Sequence, residues 1–259
     1  MNARHWILLA ALATILVAAF ILPTIPQNEA YHNFADQRTL LGVPNFLNVV
    51  SNFLFLVVGL LGIAFVPRAR RDGRAPFLIS AERWPYFVFF VSVAATAFGS
   101  SWYHLHPNDR TLLWDRLPMA AGFMSLVAAV IAERVSVKAG VRLLAPLVLA
   151  GLASVVYWEV TQARGHGDLR MYALAQFGSL VVLLLLIALF PPRYTRTPDF
   201  LLALAFYATA KLLEAADRPI FRWGGIVSGH TLKHLAAALS AYWILRMLRL
   251  RVPVCEARL

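Results

Sequence analysis

The sequence has one cysteine and only 14% charged residues in 259 positions. A single thiol, Cys255, excludes an intramolecular disulfide. So little charge cannot cover the surface of a soluble domain of this length, where about a quarter of residues are normally charged. Acidic residues are scarcer still, 13 Asp and Glu against 24 Lys and Arg, giving a formal net charge of +11. That excess does not describe a nucleic-acid-binding face, because the basic residues are scattered among short segments and not gathered in one stripe. No internal repeat, low-complexity tract or linker marks a second domain.

Apolar sequence is what remains: 60% of residues are hydrophobic and the mean hydropathy is +0.66. That composition is the mark of a polytopic membrane protein. Runs able to cross the bilayer core, about 20 residues each, fall near 6–22, 46–66, 84–104, 111–132, 143–160, 170–190, 199–217 and 228–248. Helices are expected there, since a helix satisfies its own backbone in lipid. The expected fold is therefore an all-α bundle. One extra N-terminal transmembrane helix lies within 1–27, a seven-helix core spans 28–250, and a short cytoplasmic tail covers 251–259. The first run follows a short basic start, as signal peptides do. The stretch "FILPTIPQNEA" offers no small-x-small cleavage site, and an uncleaved anchor is expected.

Basic residues set the expected orientation. Arg4, Arg68, Arg70, Arg71, Arg74, Arg83, Arg134, Lys138, Arg142, Arg193, Arg196, Arg246, Arg249, Arg251 and Arg258 fall on one side, 15 of the 24. Arg38, Arg110, Arg116, Arg164, Arg170, Arg218 and Arg222 fall on the other, and Lys211 and Lys233 lie within spans. The positive-inside bias places both termini in the cytoplasm.

The stretch "FGSSWYHLHPNDRTLLWDRLP", residues 98–118, sits at the turn between two spans. A turn toward water accounts for Pro107, Asn108 and Asp109. It does not account for Ser100, His104 and Asp115, which stand inside the flanking apolar runs. With the expected topology, His104 and Asp115 reach the same non-cytoplasmic depth as the start of "SGHTLKHLAAALSAYW". His230 and His234 are four apart and share one helical face. Neutral imidazoles so placed suit zinc above other metals. His104, His230 and His234 together would leave a fourth tetrahedral position for water, which distinguishes a catalytic zinc from a structural one. His106 competes for the place of His104, but the following Pro107 pushes it out of helical geometry and into the loop. Polar groups inside spans are costly and usually functional.

Ser100-x3-His104, Asp115 eleven residues later, and His230-x3-His234 on the last span together resemble the alkaline ceramidase family. That family belongs to a superfamily of seven-helix intramembrane zinc hydrolases that includes the adiponectin and progestin receptors. The similarity covers roughly residues 28–250, and its short serine–histidine–aspartate spacing fits the ceramidase branch better than the receptor branch. It implies zinc held by His104, His230 and His234, with Asp115 and Ser100 as catalytic residues beside the attacking water. Zinc lowers the pKa of water to about 7 and polarises a carbonyl. Asp115 would orient or deprotonate the water, and Ser100 would steady the oxyanion or a ligand. The implied activity is hydrolysis of the amide bond of a ceramide-like N-acyl lipid.

The chain departs from the family where an acidic calcium site would precede the first core span. In "PNFLNVVSN", Asn45 stands at the glutamate position, and Glu29 and Asp36 upstream lack the family spacing. A hard cation wants several oxygens with carboxylate charge, which argues against calcium. Asn45, Asn48 and Asn52 are read instead as hydrogen-bonding groups between helices.

Lys211 and Glu214, followed by Asp217, are read as a neutralised structural pair. A carboxylate bonded to a ligating histidine is the competing role. Glu159 is open to either reading. Tyr157 and Trp158 beside it are expected as interfacial anchors, and Lys233 is expected to snorkel outward. Two other functional classes compete with the hydrolase. One is a receptor-like or sensor protein with a structural zinc, disfavoured by the short tail. The other is a proton-relay transporter, disfavoured because the polar groups gather at one face and not at the midplane.

Overall fold

A computed structural model describes residues 2–68 and 76–254. Arg70, Arg71, Arg74, Cys255 and Arg258 lie outside the described residues. Helices α1 (Ala3–Ile21), α2 (Phe46–Val50), α3 (Phe53–Arg68), α4 (Arg83–Leu105), α5 (Asp109–Arg134) and α6 (Val137–Ala163) are followed by α7 (Arg170–Ala173), α8 (Ser179–Leu189), α9 (Thr197–Ala215), α10 (Asp217–Gly224) and α11 (Gly229–Leu250). The described residues contain no strand beyond two isolated bridges. Among the described residues, six stretches are long and apolar enough to cross a membrane: Ala3–Ile21, Phe46–Arg68, Ser80–Leu105, Asp109–Arg134, Val137–Ala163 and Arg170–Leu189. The chain is thus an all-α protein with the helices of an integral membrane bundle. The more polar α9 and α11, 19 and 22 residues long, pack along each other beside these six.

Local chemistry sets the helix ends around the residues of interest. Pro107 stops α4, leaving His106 extended at φ −139°. The Asn108 side chain then accepts from the Thr111 backbone N–H and restarts the chain as α5. Ser228 caps α11 in the same way, accepting from Thr231 N–H. Ser136 caps α6 and starts it before the apolar run itself begins.

Two irregularities interrupt the long helices. Between α2 and α3 the backbone turns at Ser51 and Asn52, and the Ser51 hydroxyl donates to the Asn48 carbonyl. Between α7 and α8, Leu174–Gly178 winds as a π-helix. Such bulges often mark functional sites.

The two ends of the bundle differ in character. At one end the start of α5, the close of α4, the start of α11 and the segment 22–45 come together. At the other, the His5 and Phe190 rings lie 5.2 Å apart, and Arg251 pairs with Glu133, which also accepts from the Tyr86 hydroxyl. Arg251 was expected in a free tail. It is buried instead, and its Nε donates to the Pro76 carbonyl. Arg134, expected as a loop charge, donates to the Phe190 carbonyl and the Thr197 hydroxyl. Both described termini therefore lie at the end away from the His104 turn.

Glycines bring the helices at that turn into backbone contact. A Cβ on Gly99 would stand 2.0 Å from the Trp114 carbonyl oxygen, and one on Gly229 would stand 2.2 Å from that of Leu213. The first contact presses α4 against α5 beside Ser100 and Asp115. The second seats the start of α11, with His230, against the end of α9. Gly99→Ala is expected to cost about 1–3 kcal/mol by overpacking and to lower the unfolding midpoint in detergent by several degrees. Gly122→Ala is the control, because its Cβ would meet only Ser92 Cβ at an ordinary 3.5 Å and helix propensity favours alanine. An unchanged midpoint in Gly99→Ala would show that the helices can separate freely.

Helix α9 packs on α11 and on no other helix to a comparable extent, while α8 rests on α5 and α1. Helices α8 and α9 meet along a seam with little direct contact. Across it Gln176 of the π-helix donates to the Tyr207 hydroxyl at 2.6 Å.

Candidate metal centre

His104 from the last turn of α4 and His230 and His234 from the first turns of α11 converge in the interior. One ligand nitrogen from each lies within 4.8 Å of the others, and all three side chains are buried. The Nε2 atoms of His104 and His230 are 3.4 Å apart. Zinc–nitrogen bonds of about 2.0–2.1 Å at tetrahedral angles would place two ligand nitrogens about 3.3–3.4 Å apart. The spacing fits.

Hydrogen bonds around the triad support the same assignment. The Ser51 hydroxyl gives its proton to the Asn48 carbonyl at 3.1 Å and lies 2.8 Å from Nδ1 of His234. With its hydrogen so directed, Ser51 accepts from Nδ1–H. That arrangement goes with the tautomer in which Nε2 of His234 carries the free lone pair. Asn48 accepts from the Thr231 hydroxyl at 2.7 Å, tying α2 to α11. Asn45 donates to the His104 carbonyl at 2.8 Å from a left-handed backbone conformation (φ 49°), which asparagine tolerates better than most residues. All of these groups are donors or acceptors with roles in holding the ring positions. The donor set is three imidazole nitrogens, which could hold a metal ion of the kind imidazole suits, zinc, copper, iron or nickel.

The segment 22–45 roofs the triad. The Phe34 ring packs against His104 at 4.7 Å and His230 at 4.6 Å between centroids. Asp217 pins both sides of this contact, since one carboxylate oxygen accepts from Ala35 N–H and the other from His230 N–H, each at 2.8 Å. His32 bonds Tyr103 and Asp109. Asp36 takes a bidentate contact from Arg38, whose guanidinium holds that carboxyl below the usual carboxylate range. Arg38 in turn reaches the Gly225 and Ile226 carbonyls. At the neighbouring turn Arg170 brackets Asp168 and lowers its pKa to about 2.

Below the roof lies a cavity of about 600 Å³. Ser100, Asp115 and His234 line its polar end, and Phe89, Val93, Leu126, Phe200 and Ile244 line its apolar depth. His104 and His230 stand behind His234. The cavity wall also includes Phe177 of the π-helix and Leu204 of α9.

No family model and no curated protein matches the chain. Its site is defined by its own geometry.

The five residues singled out as a site, Ser100, His104, Asp115, His230 and His234, occupy one region at one end of the bundle. His106 is apart from them, stacked on Trp102 in the loop. Other expectations need correction. Lys233 does not snorkel outward: its ammonium bonds Glu214 at 2.6 Å inside the cavity wall. Glu214 thus bridges Lys211 and Lys233 and also accepts from the Tyr31 hydroxyl. Asp217 bonds the His230 backbone, not its ring. Trp158 is no interfacial anchor but fully buried, while Tyr157 is partly exposed and donates to Asp168. Arg116, counted among the loop charges, is buried and lines the cavity. Of the carboxylates considered for calcium, Asp36 is engaged by Arg38 and Glu29 is exposed.

Phe34, the Ser51 contact and the two helix-contact glycines were not anticipated. A glycine immediately before a polar residue within a span, as in Gly99–Ser100 and Gly229–His230, was the available signal. Small residues let transmembrane backbones approach closely.

Proposed function

We propose that the chain is an intramembrane zinc-dependent amidohydrolase that cleaves the amide bond of a ceramide-like N-acyl lipid. The supporting observation is the buried histidine triad beside Ser100 and Asp115, at the polar end of an otherwise apolar cavity of about 600 Å³. Such a cavity matches an acyl chain along its apolar wall and a reacting amide at its polar end. In this reading seven helices (α2–α3 counted as one, α4, α5, α6, α7–α8, α9 and α11) form the core, and α1 is an added span. Both termini lie in the cytoplasm by the positive-inside rule, with the site near the opposite face.

His104, His230 and His234 would hold the zinc, which supplies Lewis acidity and a water activated for attack. The chain's own residues do the rest. Asp115 accepts the proton of the attacking water and hands it to the leaving amine nitrogen. Ser100 donates to the oxygen that gains charge as the amide carbon becomes tetrahedral. Ser51 keeps His234 in its ligating tautomer. Phe34 and the apolar wall exclude bulk water, which strengthens each of these electrostatic contacts. The resemblance to the ceramidases points to the same residues in the same roles.

The test is turnover by the purified protein in mixed micelles with a panel of N-acyl lipids, ceramides among them. Free fatty acid and amine are expected in equal amounts, lost on chelation and restored by zinc. A zinc-loaded protein that cleaves no member of the panel would overturn the hydrolase reading.

A further inference from the structure

The polar end of the cavity carries one cation more than its carboxylates balance. Five charged side chains line it: Asp115 and Glu214 against Arg116, Lys211 and Lys233. Glu214 is shared by the two lysines. Arg116 has no carboxylate partner within salt-bridge distance among the described residues. Its Nη2 donates to the neutral Gln27 side chain at 2.6 Å, and its Nη1 is buried with no acceptor at all. The residue is 5% exposed.

A buried guanidinium with free N–H donors is costly to maintain unless something receives them. The surrounding side chains hold this one in place without satisfying it. Its carbon lies 4.2 Å from the Trp158 ring centroid, 4.9 Å from that of Tyr172 and 5.8 Å from that of Tyr31. Aromatic faces stabilise the cation, but they accept no in-plane N–H bond. The guanidinium is thus a fixed, under-satisfied cation in the cavity wall, and an oxyanion that replaces the neutral Gln27 contact is the partner such groups bind best. Arg116 also follows Asp115 directly in α5, so an anion bound to it sits beside the reacting region.

We propose that Arg116 is the anchor of an anionic head-group subsite, and that the amide lipid taken by this cavity carries a carboxylate or phosphate on its amine side. This rests on the hydrolase reading for the word substrate, but the binding site stands independently of it. Within the N-acyl lipids of the proposed function, an N-acyl amino acid and an N-acyl phosphoethanolamine share the required chemistry, and ceramide itself or an N-acylethanolamine, which lacks it, is expected to be the poorer substrate.

Binding and turnover are measured separately on the full chain. Binding uses three ethers that cannot be hydrolysed: oleyloxyacetate, 2-(oleyloxy)ethyl phosphate and the neutral 2-(oleyloxy)ethanol. The wild type is expected to bind one or both anionic ethers at least about tenfold more tightly than the neutral one, the value of one good charge-assisted contact. Whichever anion binds tighter identifies the head group as carboxylate or phosphate. Arg116→Gln is expected to erase that preference, and Arg116→Lys, which keeps the charge but not the fork, to retain only part of it. Equal binding of all three ethers by the wild type would overturn the subsite, a result that needs no variant to fold. A preference left intact in Arg116→Gln would overturn the role of Arg116. Turnover of N-oleoylglycine and N-oleoylphosphoethanolamine against N-oleoylethanolamine then separates the two proposals. Preferential binding of anions without any hydrolysis keeps the subsite and removes the hydrolase, while hydrolysis without head-group preference does the reverse.

Discussion

Replacing both His230 and His234 with alanine is expected to take zinc content from about one ion per chain to none, measured by elemental analysis after purification in detergent. The effect should be complete because the two residues supply two of three ligands from a single helix face, leaving His104 alone. A lone neutral imidazole cannot hold the ion against buffer. Ser51→Ala gives the graded companion. It removes the acceptor for Nδ1–H of His234, 2.8 Å away, without touching a ligand, and should weaken zinc by about 10–100-fold in a chelator competition. If the double-alanine chain keeps a full equivalent of zinc, the ion is held elsewhere and the triad is a buried polar junction. If both wild type and variant lack zinc even after reconstitution, the hydrolase has no catalyst.

Asp115→Asn should behave oppositely, retaining zinc while amide hydrolysis falls by about 100–10,000-fold. The substitution is nearly isosteric, and Asp115 is not one of the three converging nitrogens, so the ion should stay. What disappears is the proton acceptor at the wall of the cavity. Asparagine can still orient a water by hydrogen bonding but cannot carry its proton to the amine. Zinc content and kcat measured on the same preparation check both halves. Full activity in the variant would remove Asp115 from the chemistry and leave it as a partner of the neighbouring cations.

Much of this was legible in the chain itself, for reasons that differ by residue. The helices follow from apolar runs that lipid or a helical interior must receive, and Pro107 and Asn108 mark the turn that ends α4 and begins α5. His104, His230 and His234 stood out because imidazoles are rare in such runs and shared one expected depth, but a common depth does not make helices neighbours, and their convergence rested on the family resemblance. The inward direction of Arg116, Lys233 and Trp158 did not show. In an ordinary amphipathic helix, polarity tells the inside from the outside. Here both the lipid-facing and the core-facing sides of α6 and α11 are apolar, so a single cation or tryptophan on them carries no direction. Charge counting grouped Arg116 with the turn charges because it stands near the end of a span, although it sits in the second turn of α5. The roof formed by residues 22–45 was equally opaque. It has almost no regular structure, and Phe34 acquires its role only by touching two rings brought there by other helices.

On the lipid-hydrolase reading, a route along the weakly packed seam between α8 and α9 changes what concentration means for this protein. A cavity reached sideways from between helices draws its ligand from a two-dimensional reservoir, and the quantity that governs occupancy is mole fraction in the surrounding lipid. Weakly soluble amphiphiles that hardly exist in free solution are then abundant to it, and their chains need never cross water to arrive. The Gln176–Tyr207 hydrogen bond lies across that route, so the toll on arrival is the opening of one polar contact in place of the desolvation of an entire acyl chain.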